Sequence, residues 1–547
     1  MSLASFLPSI CKPFSGSFAV KLIPKAVQRI FLVTGLISLS FFPTVTPAHT
    51  GTVGLLESVR SALEHQPDIH FGRLDVEHAR EQYREQSGQF DPTLRTGMEH
   101  GQTRSPLGAS DYADYEKQTE TSYYLGFEKQ FRTGVTLMPE LRTTRNELDR
   151  ETPPGTPDLH VPQSRTGAYL IGTIPLMRGL GAEAAAGMET AARQDARIAR
   201  TELKQVVSNV VHETTLAYWG YVRDYQNLEQ RRIDEQTARE MHEQTRALVQ
   251  ADEVPAADLD ESKANLSGKI NARLNAKQAL EQSRMELGMA MGVPFENIRD
   301  LPPPGDHFHL MEDSRDSINR LQTMALISYA LDERHDLKAS RGREASAATR
   351  EKVFEDRTRP GLDLEMRAGY EGLDEGDSYA RMPGSTGSNI RGMSWQMSLT
   401  YEFPVKNQAA LGRLEQHRVK KRRQILQSRE LSRDIQSSIH TTLAVLRENA
   451  AELENAAQTV ELYEKTVQNQ EMKYRMGEGT QLDLITTRDS LTQARLSQID
   501  AYFRYARALS RLRFQTATLV SFVQDEARVE LDHLIHPPLE KRQESGS

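Results

Sequence analysis

Apolar side chains recur every seven residues along a proline-free stretch in the second half of the chain. The repeat consists of Ile439, Leu446, Leu453, Val460, Val467 and Tyr474. A seven-residue apolar period is typical of helices that pack side by side in a coiled coil. The stretches 182–249 and 406–475 lack proline and are rich in good helix formers, so each predicts a helix about 100 Å long. Helices of about half that length are predicted at 54–89 and 256–291.

Other segments alternate apolar and polar side chains. In residues 394–403 the apolar positions are Trp395, Met397, Leu399, Tyr401 and Phe403, and the polar ones are Ser394, Gln396, Ser398, Thr400 and Glu402. Residues 362–370 alternate in the same way. Segments of about nine or ten residues with one apolar and one charged face are typical of tilted strands that cross a membrane. A weaker strand is predicted at 94–100 and a further strand at 168–176.

The chain contains an internal duplication. The segment Ala62-Leu63-Glu64 recurs in the second half as Ala330-Leu331-Asp332, and Asp258-Leu259 recurs as Asp483-Leu484. Each half has the same order of predicted elements: helix, strands, very long helix, tight turn and helix. The sequence therefore predicts two structural repeats per chain.

The first repeat is longer than the second between its strand-flanking prolines. The segment between Pro92 and Pro175 is nearly twice as long as the segment between Pro360 and Pro404. An extra hairpin explains the difference, with strands at 123–131 and 135–141 around Arg132-Thr133-Gly134 and a proline-rich loop at Pro153-Pro154-Gly155. The hairpin either adds strands to a sheet or forms a flap outside it.

The predicted domain boundaries follow from these patterns. They are a signal peptide at 1–48, repeat 1 at 49–300, a proline-rich linker at 301–316, repeat 2 at 317–530 and a flexible C-terminal tail at 531–547. In the signal peptide, basic residues precede the 13-residue apolar run 30–42, and Thr46-Pro47-Ala48 offers a cleavage site. A spanning helix needs about 20 residues, so a retained anchor is the weaker alternative.

Composition excludes several classes of protein. The 68 basic and 76 acidic residues leave a net charge of −8, which gives no electrostatic reason for a nucleic-acid partner. The single cysteine, Cys11, excludes a disulfide scaffold or a thiolate metal cluster. None of the G-x-S-x-G, H-E-x-x-H and P-loop motifs occurs, so we expect no enzyme activity, cofactor or metal.

The strand count has a physical consequence. Four to six strands cannot close a barrel, because the smallest single-chain barrels have eight, and an open strand edge cannot face lipid. If the strands lie in a membrane, several copies of the chain must share one barrel. The alternative is a periplasmic coiled-coil adaptor or structural scaffold whose β-domain is soluble.

Three stretches in this order resemble the TolC family of outer-membrane efflux proteins: 62–68 (ALEHQPD), 174–179 (IPLMRG) and 474–484 (YRMGEGTQLDL). The resemblance covers nearly all of residues 50–525. It implies a mainly helical homotrimer in which a shared outer-membrane β-barrel continues into a long α-helical periplasmic tunnel. Members usually contribute two strands per repeat, which makes a barrel of 12 strands, so the extra hairpin departs from the family.

The resemblance also implies a passive function in the outer membrane of a Gram-negative-type cell, in contact with its lipid. The channel would be the exit duct of a tripartite efflux or type I secretion system. An inner-membrane pump and a periplasmic adaptor would deliver the cargo. The sequence does not identify that cargo, because the pump selects it.

By the same resemblance, the tips of both helical hairpins dock the adaptor. The tip residues are Asp252, Glu253, Val254 and Pro255 in the first repeat, and Arg475, Met476, Gly477, Glu478, Gly479 and Thr480 in the second. Glycines 477 and 479 supply the backbone freedom of a sharp reversal, which the first tip lacks. Asp483 stands where family members place a carboxylate that narrows the tunnel. Its alternative role is a first-turn acid stabilised by the helix dipole.

Three further motifs have weaker interpretations. Residues 179–184 (GLGAEA) fit a dinucleotide-binding pattern, but no parallel strand returns after the long helix that follows, so that interpretation is rejected. Asp306, His307 and His309 could bind a metal, but they stand alone in a proline-rich linker, so a metal site is the weaker hypothesis. The basic run 418–423 is either a solvated helix face or a contact with lipid headgroups.

Overall fold

The computed structural model describes residues 51–106, 115–150, 159–308, 318, 320–376, 378–390 and 392–538. The predicted signal peptide with Cys11, the proline-rich loop at 153–155 and His309 lie outside the described residues.

The first repeat follows the predicted order of elements. Its helices are α1 (Leu55–His65), α2 (Pro67–Gly88), α3 (Ala182–Ala185), α4 (Gly187–Gln250), α5 (Ala256–Ala290) and α6 (Phe295–Ile298). Its strands are β1 (Thr93–Pro106), β2 (Tyr115–Gln130), β3 (Thr136–Arg150) and β4 (Leu159–Pro175). The extra hairpin is therefore β2 and β3, and its strands are longer than predicted.

The second repeat has the same plan with two strands. Its elements are α7 (Thr323–Glu333), α8 (His335–Asp356), β5 (Gly361–Glu375), α9 (Arg381–Gly384), a 3₁₀ turn (Ser385–Gly387), β6 (Met393–Glu402), α10 (Gln408–Arg475) and α11 (Gln481–Gln515). A small hairpin, β7 (Ser521–Val523) and β8 (Glu526–Arg528), and the helix α12 (Leu531–Ile535) complete the described chain.

Each repeat begins with two helices rather than the single one predicted at 54–89. Gln66 is extended between α1 and α2 (φ −68°, ψ 122°), and Arg334 is extended between α7 and α8 (φ −60°, ψ 127°). Pro67 explains the first break, because a residue before proline avoids the helical conformation. The second break has no proline. Aligning Ala62 with Ala330 places Arg334 at the position equivalent to Gln66, so the break belongs to the repeat.

The seven-residue repeat forms the buried side of α10, as predicted. Ile439, Leu446 and Leu453 are almost fully buried, and Val460 and Val467 are buried further along the same helix. The helix α10 packs against α11, and α4 packs against α5 in the same way. At 64 and 68 residues, α4 and α10 are each about 100 Å long.

A group of buried aromatic side chains lies where α4 and α11 meet the linker. Phe308 stacks between Trp219 and Tyr502, with ring centroids 5.1 and 5.5 Å apart. Phe308 belongs to the predicted linker, and Pro304 in the same segment forms a parallel bridge with Val53. The described part of the linker is thus packed into the core of the helical body, because it carries apolar side chains that the helices bury.

The chain after 530 is also packed where the structure describes it. The buried Arg513 guanidinium donates to the backbone oxygens of Asp532, His536 and Pro537 at 3.3, 2.7 and 3.1 Å, and Leu534 is fully buried. Burial lowers the pKa of Arg513 to about 10. Residues 531–538 therefore do not form the flexible tail that the sequence predicts, and the rest of that tail lies outside the described residues.

All six long strands form one antiparallel sheet in chain order, β1-β2-β3-β4-β5-β6. Strands β4 and β5 pair directly, which joins the two repeats. The extra hairpin lies between β1 and β4 within the sheet, so it adds strands and is not a flap.

Candidate functional site

The strand register places the predicted apolar side chains on one face of the sheet. In the pairing of β5 with β6, Leu364 lies opposite Leu399 and Met366 opposite Met397. The apolar face is open to solvent in the single chain, with Trp395 70% and Leu399 62% exposed. Its other exposed members include Leu94, Met98, Tyr123, Leu125, Phe127, Leu141, Leu170, Tyr370, Met393 and Tyr401. An uncovered apolar face of this extent marks contact with lipid or protein.

The opposite face of the sheet is polar and internally paired. Glu140 on β3 is only 6% exposed and accepts from Arg142 at 2.9 Å, while a guanidinium nitrogen of Arg367 on β5 lies 3.7 Å away. Arg142 also approaches Glu99 on β1 at 3.7 Å. These charges connect the extra hairpin to the strands on both sides of it.

Glycines on the polar face make room for two tyrosines. A Cβ on Gly97 would lie 2.6 Å from the Tyr124 hydroxyl, and one on Gly369 would lie 2.5 Å from the Tyr169 ring. The Tyr169 ring lies under the Arg367 guanidinium at 4.0 Å, and its hydroxyl donates to Glu371 at 2.8 Å. The alternation of apolar and polar residues does not reveal this polar network; glycines inside the strands are its signal in the sequence.

The glycines of the 179–184 motif turn the chain from β4 into α3. Gly179 and Gly181 have φ of +88° and +90°, a conformation that favours glycine. The Gly181 amide donates to Thr133 in the extra hairpin at 2.9 Å, and the Gly179 amide donates to Asp356 at 2.7 Å. Their role here is a sharp connection between sheet and helices.

The two helical tips have the same backbone turn despite their different sequences. Asp252 has φ +57° in the first tip, and Gly477, its counterpart when Asp258 is aligned with Asp483, has φ +78° in the second. In each tip the backbone amide of the following residue donates a hydrogen bond to a backbone oxygen of the preceding helix. Glu253 donates to Leu248 at 3.0 Å, and Glu478 donates to Lys473 at 2.9 Å. The first tip thus makes the reversal without glycine, because aspartate tolerates the left-handed conformation better than most residues.

Of the two predicted glycines in the second tip, only Gly477 has a positive φ. Gly479 instead packs closely against the end of α10, where a Cβ atom on residue 479 would lie 3.0 Å from the side-chain nitrogen of Gln470. The predicted backbone role therefore applies to Gly477, and Gly479 allows a close approach.

Asp483 lies at the start of α11 and is exposed in the single chain. Its carboxylate accepts from the Thr480 amide at 3.3 Å and from the Thr480 hydroxyl at 2.7 Å, and the Asp483 amide lies 3.2 Å from that hydroxyl. These hydrogen bonds lower the pKa of Asp483. In the same first turn, Gln481 accepts from Thr245 at 3.0 Å, which links the two hairpins near their tips. The Asp483 side chain thus forms a capping box with Thr480, the N-cap residue of α11, and is charged at neutral pH.

The remaining candidates are placed as follows. Asp306 accepts from the Leu55 amide at 2.6 Å and from the Tyr218 hydroxyl at 2.9 Å, so its carboxylate has a structural role. Among the described residues no cluster of three or more side chains could hold a metal. In the basic run, Arg418 and Lys421 pair with Glu351 on α8 at 3.6 and 2.8 Å.

Over the described residues, no helix has the length and hydrophobicity needed to cross a membrane.

Comparison with known proteins relates part of the chain to a family. The model of the outer membrane efflux protein family matches residues 326–518. This part of the chain belongs to that family. The resemblance to outer-membrane efflux proteins, predicted from three short stretches, is thereby confirmed. No curated protein matches the sequence.

The fold of this chain is similar to that of several solved outer-membrane channels. The CmeC channel of Campylobacter jejuni is 14% identical with a TM-score of 0.60, and the match covers 85% of each chain. VceC of Vibrio cholerae is 14% identical with a TM-score of 0.56, covering 84% of this chain and 95% of that one. The MtrE channel of Neisseria gonorrhoeae, crystallised in an open state, is also 14% identical with a TM-score of 0.56, covering 85% and 88%.

Family and fold together confirm the predicted location in the outer membrane with a periplasmic part. They also support a role as an efflux channel.

Proposed function

We propose that three copies of this outer membrane efflux protein form one channel-tunnel, the passive exit duct of a tripartite efflux or type I secretion system. The observation that carries the proposal is the uncovered apolar face of a sheet whose polar face is paired internally. Such a sheet is stable in lipid only when its edges are joined, because unpaired backbone groups cannot face hydrocarbon. Six strands from one chain are too few to close a barrel.

The long helices give the channel its periplasmic part. Helix α4 follows β4 after the short helix α3, helix α10 follows β6, and both run about 100 Å to the tips. This length supports a duct that crosses much of the periplasm. An inner-membrane pump would supply the cargo and the energy, since the channel itself has no catalytic role in the proposal.

We propose that the two tips dock the periplasmic adaptor. The supporting observations are their position at the ends of the helices farthest from the sheet and their matching backbone turns. The residues concerned are Asp252, Glu253, Val254, Pro255, Arg475, Met476, Gly477, Glu478, Gly479 and Thr480. Most of these side chains are exposed, including Asp252, Glu253, Met476 and Glu478. Two equivalent tips per chain would give an adaptor six similar sites on a trimer.

Asp483 is proposed as the tunnel constriction. Three exposed, charged carboxylates around the trimer axis would form an acidic ring that favours cations. The capping interaction with Thr480 fixes the carboxylate at the start of α11, which supports a rigid ring.

The alternative, a periplasmic adaptor or scaffold with a soluble β-domain, leaves the apolar face of the sheet without a partner. A soluble domain would need to cover Trp395, Leu399 and the other exposed side chains of that face. In the proposed channel these side chains contact lipid.

A pair of neighbouring substitutions tests the channel. Leu399→Lys places a charge on the apolar face of β6, and Ser398→Lys places the same charge on the polar face one residue away. A lysine at mid-membrane on the lipid side costs about 2–4 kcal/mol. We expect Leu399→Lys to reduce the heat-sensitive, SDS-resistant trimer in outer-membrane fractions, and Ser398→Lys to leave it. A wild-type chain that stays monomeric and soluble in the periplasm would contradict the proposal.

A further inference from the structure

We infer that the barrel has eighteen strands, six from each of three copies, and that β1 of one copy pairs with β6 of the next. This inference rests on the proposed trimeric channel. It departs from the 12-stranded barrel that the family resemblance implies, because the extra hairpin lies within the sheet.

The first argument is the place of the hairpin. Strand β2 pairs with β1 from Thr93 opposite Glu128 to Pro106 opposite Tyr115, and β3 pairs with β4 from Thr136 opposite Thr173 to Arg150 opposite Leu159. Strands β1 and β4 are not hydrogen-bonded to each other, because β2 and β3 lie between them. A 12-stranded barrel would require two complete ladders to dissociate.

The second argument is that the hairpin has the same two faces as the rest of the sheet. Leu125 lies opposite Leu141 on the apolar side, and Leu141 lies opposite Ala168 on β4. On the polar side, Glu140 and Arg142 interact with Arg367 and Glu99 on either side of the hairpin. Because the apolar face around Leu141 and the polar face around Glu140 both continue onto the neighbouring strands, the hairpin is built for the same surroundings as those strands.

The third argument concerns the two edges. Within the described residues, β1 and β6 each have a ladder on one side only. Six strands in alternating directions leave β1 and β6 antiparallel, so β6 of one copy can pair with β1 of the next. The start of β1 at Thr93 follows helix α2, and the end of β6 at Glu402 precedes helix α10, so these two strand ends lie on the helical side of the sheet.

The composition of β6 agrees with a partner strand. Its ten residues contain one charge, Glu402, and no proline. Exposed edges in soluble proteins usually carry charges, proline or bulges that prevent pairing. Leu94, Thr96 and Met98 on β1 would continue the apolar face beyond Met397, Leu399 and Tyr401 on β6. The partner chemistry is therefore a second copy of this chain.

The inference predicts a wide outer-membrane end. Barrel diameter grows roughly in proportion to strand number, so eighteen strands give a barrel about one and a half times as wide as twelve.

Cysteine pairs test the contact between copies. In a Cys11→Ser background, Thr96→Cys is combined in turn with Met397→Cys, Leu399→Cys and Tyr401→Cys, which samples several registers. Facing Cα atoms of antiparallel strands are about 4.5–5.5 Å apart, within the range that a disulfide spans. We expect one combination to give disulfide-linked dimers and trimers on denaturing, non-reducing gels. The control pair Met366→Cys with Met397→Cys lies opposite within one copy and should give no linked copies.

Imaging of the wild-type barrel in top view tests the strand number. A second variant replaces residues 107–158 by an Asn-Gly turn, which leaves four strands per copy, and we expect its barrel to be about two-thirds as wide. A 12-stranded wild-type barrel would overturn this inference and leave the trimeric channel intact. SDS-resistant trimers without a β1–β6 disulfide in any register would overturn the proposed pairing. Absence of any trimer would instead contradict the proposed function.

Discussion

Glu189 in the first turn of α4 accepts two hydrogen bonds from the guanidinium of Arg132, which lies in the turn of the extra hairpin, at 2.6 and 2.7 Å. Ser87 at the end of α2 donates to the same carboxylate at 2.9 Å. Glu189 is only 1% exposed. A buried carboxylate therefore helps to attach the hairpin of the first repeat to the helical body, and Arg132 lowers the pKa of that carboxylate.

Arg132→Ala should lower the thermal stability of the protein, because it leaves a buried carboxylate without its cation. Since the pKa of Glu189 lies below its usual 4.5 in the folded chain, this stabilisation is present above that pH and is lost as the pH falls through the lowered pKa. Thermal unfolding followed by circular dichroism should therefore separate wild type from variant at pH 7 and bring them together in acid. Arg84→Ala, which removes an exposed pair with Glu81, is the control and should change little. Equal effects of the two substitutions would contradict the role of Glu189.

The two tips predict opposite effects of exchanging their turn residues. Asp252→Gly should stabilise the first tip by about 1 kcal/mol, because glycine adopts the left-handed conformation without a steric cost. Gly477→Asp should destabilise the second tip by a similar amount. Hydrogen exchange of the amides of Glu253 and Glu478 measures the local opening, which a global melt would not resolve. Slower exchange at the second tip after Gly477→Asp would show that the turns are not equivalent.

The proposed constriction predicts that charge and capping at Asp483 can be separated. Asp483→Asn removes the charge, whereas Thr480→Val removes the hydroxyl of the cap and keeps the charge. In planar bilayers we expect Asp483→Asn to reduce the cation preference and Thr480→Val to leave it. The lowered pKa of Asp483 keeps its carboxylate charged at neutral and mildly acidic pH, so the wild-type preference should persist there. If both variants behave alike, the carboxylate acts as a helix cap and not as a constriction.

His212 on α4 predicts a loss of stability in mild acid. Its ring stacks on Phe514 with centroids 4.7 Å apart, and Nδ1 lies 2.9 Å from the Ser510 hydroxyl. Burial, with a smaller contribution from Arg511, lowers the pKa of His212 to about 4. The unfolded chain takes up the proton near pH 6.5, so stability should decline below that pH, by up to about 3 kcal/mol per chain near pH 4.

His212→Gln, which keeps a polar contact to Ser510, should flatten this decline. Denaturant titrations at pH 7.5 and pH 5 measure it. An unchanged difference between the two pH values in the variant would assign the acid sensitivity to another group, such as His335, whose pKa burial also lowers to about 4.

The sequence was most informative where one period extends over many residues. The heptad from Ile439 to Tyr474 predicted the buried side of α10, and the alternation from Ser394 to Phe403 predicted the two faces of β6. The duplication predicted equivalent positions as far apart as Asp258 and Asp483. It was least informative at single turns. The conformation of Asp252 depends on hydrogen bonds to the preceding helix. Gln66 and Arg334 both interrupt a helix, but a following proline indicates the interruption only at Gln66.

The sequence by itself determined the local elements and their two-faced character, because periodicity of apolar side chains depends only on backbone geometry. Tertiary structure decided which elements become neighbours. That the extra hairpin lies between β1 and β4, that Phe308 of the linker packs between Trp219 and Tyr502, and that Arg132 reaches Glu189 all depend on contacts between segments far apart in the chain. Such contacts have no period along the sequence, since each is selected by the packing of the whole fold.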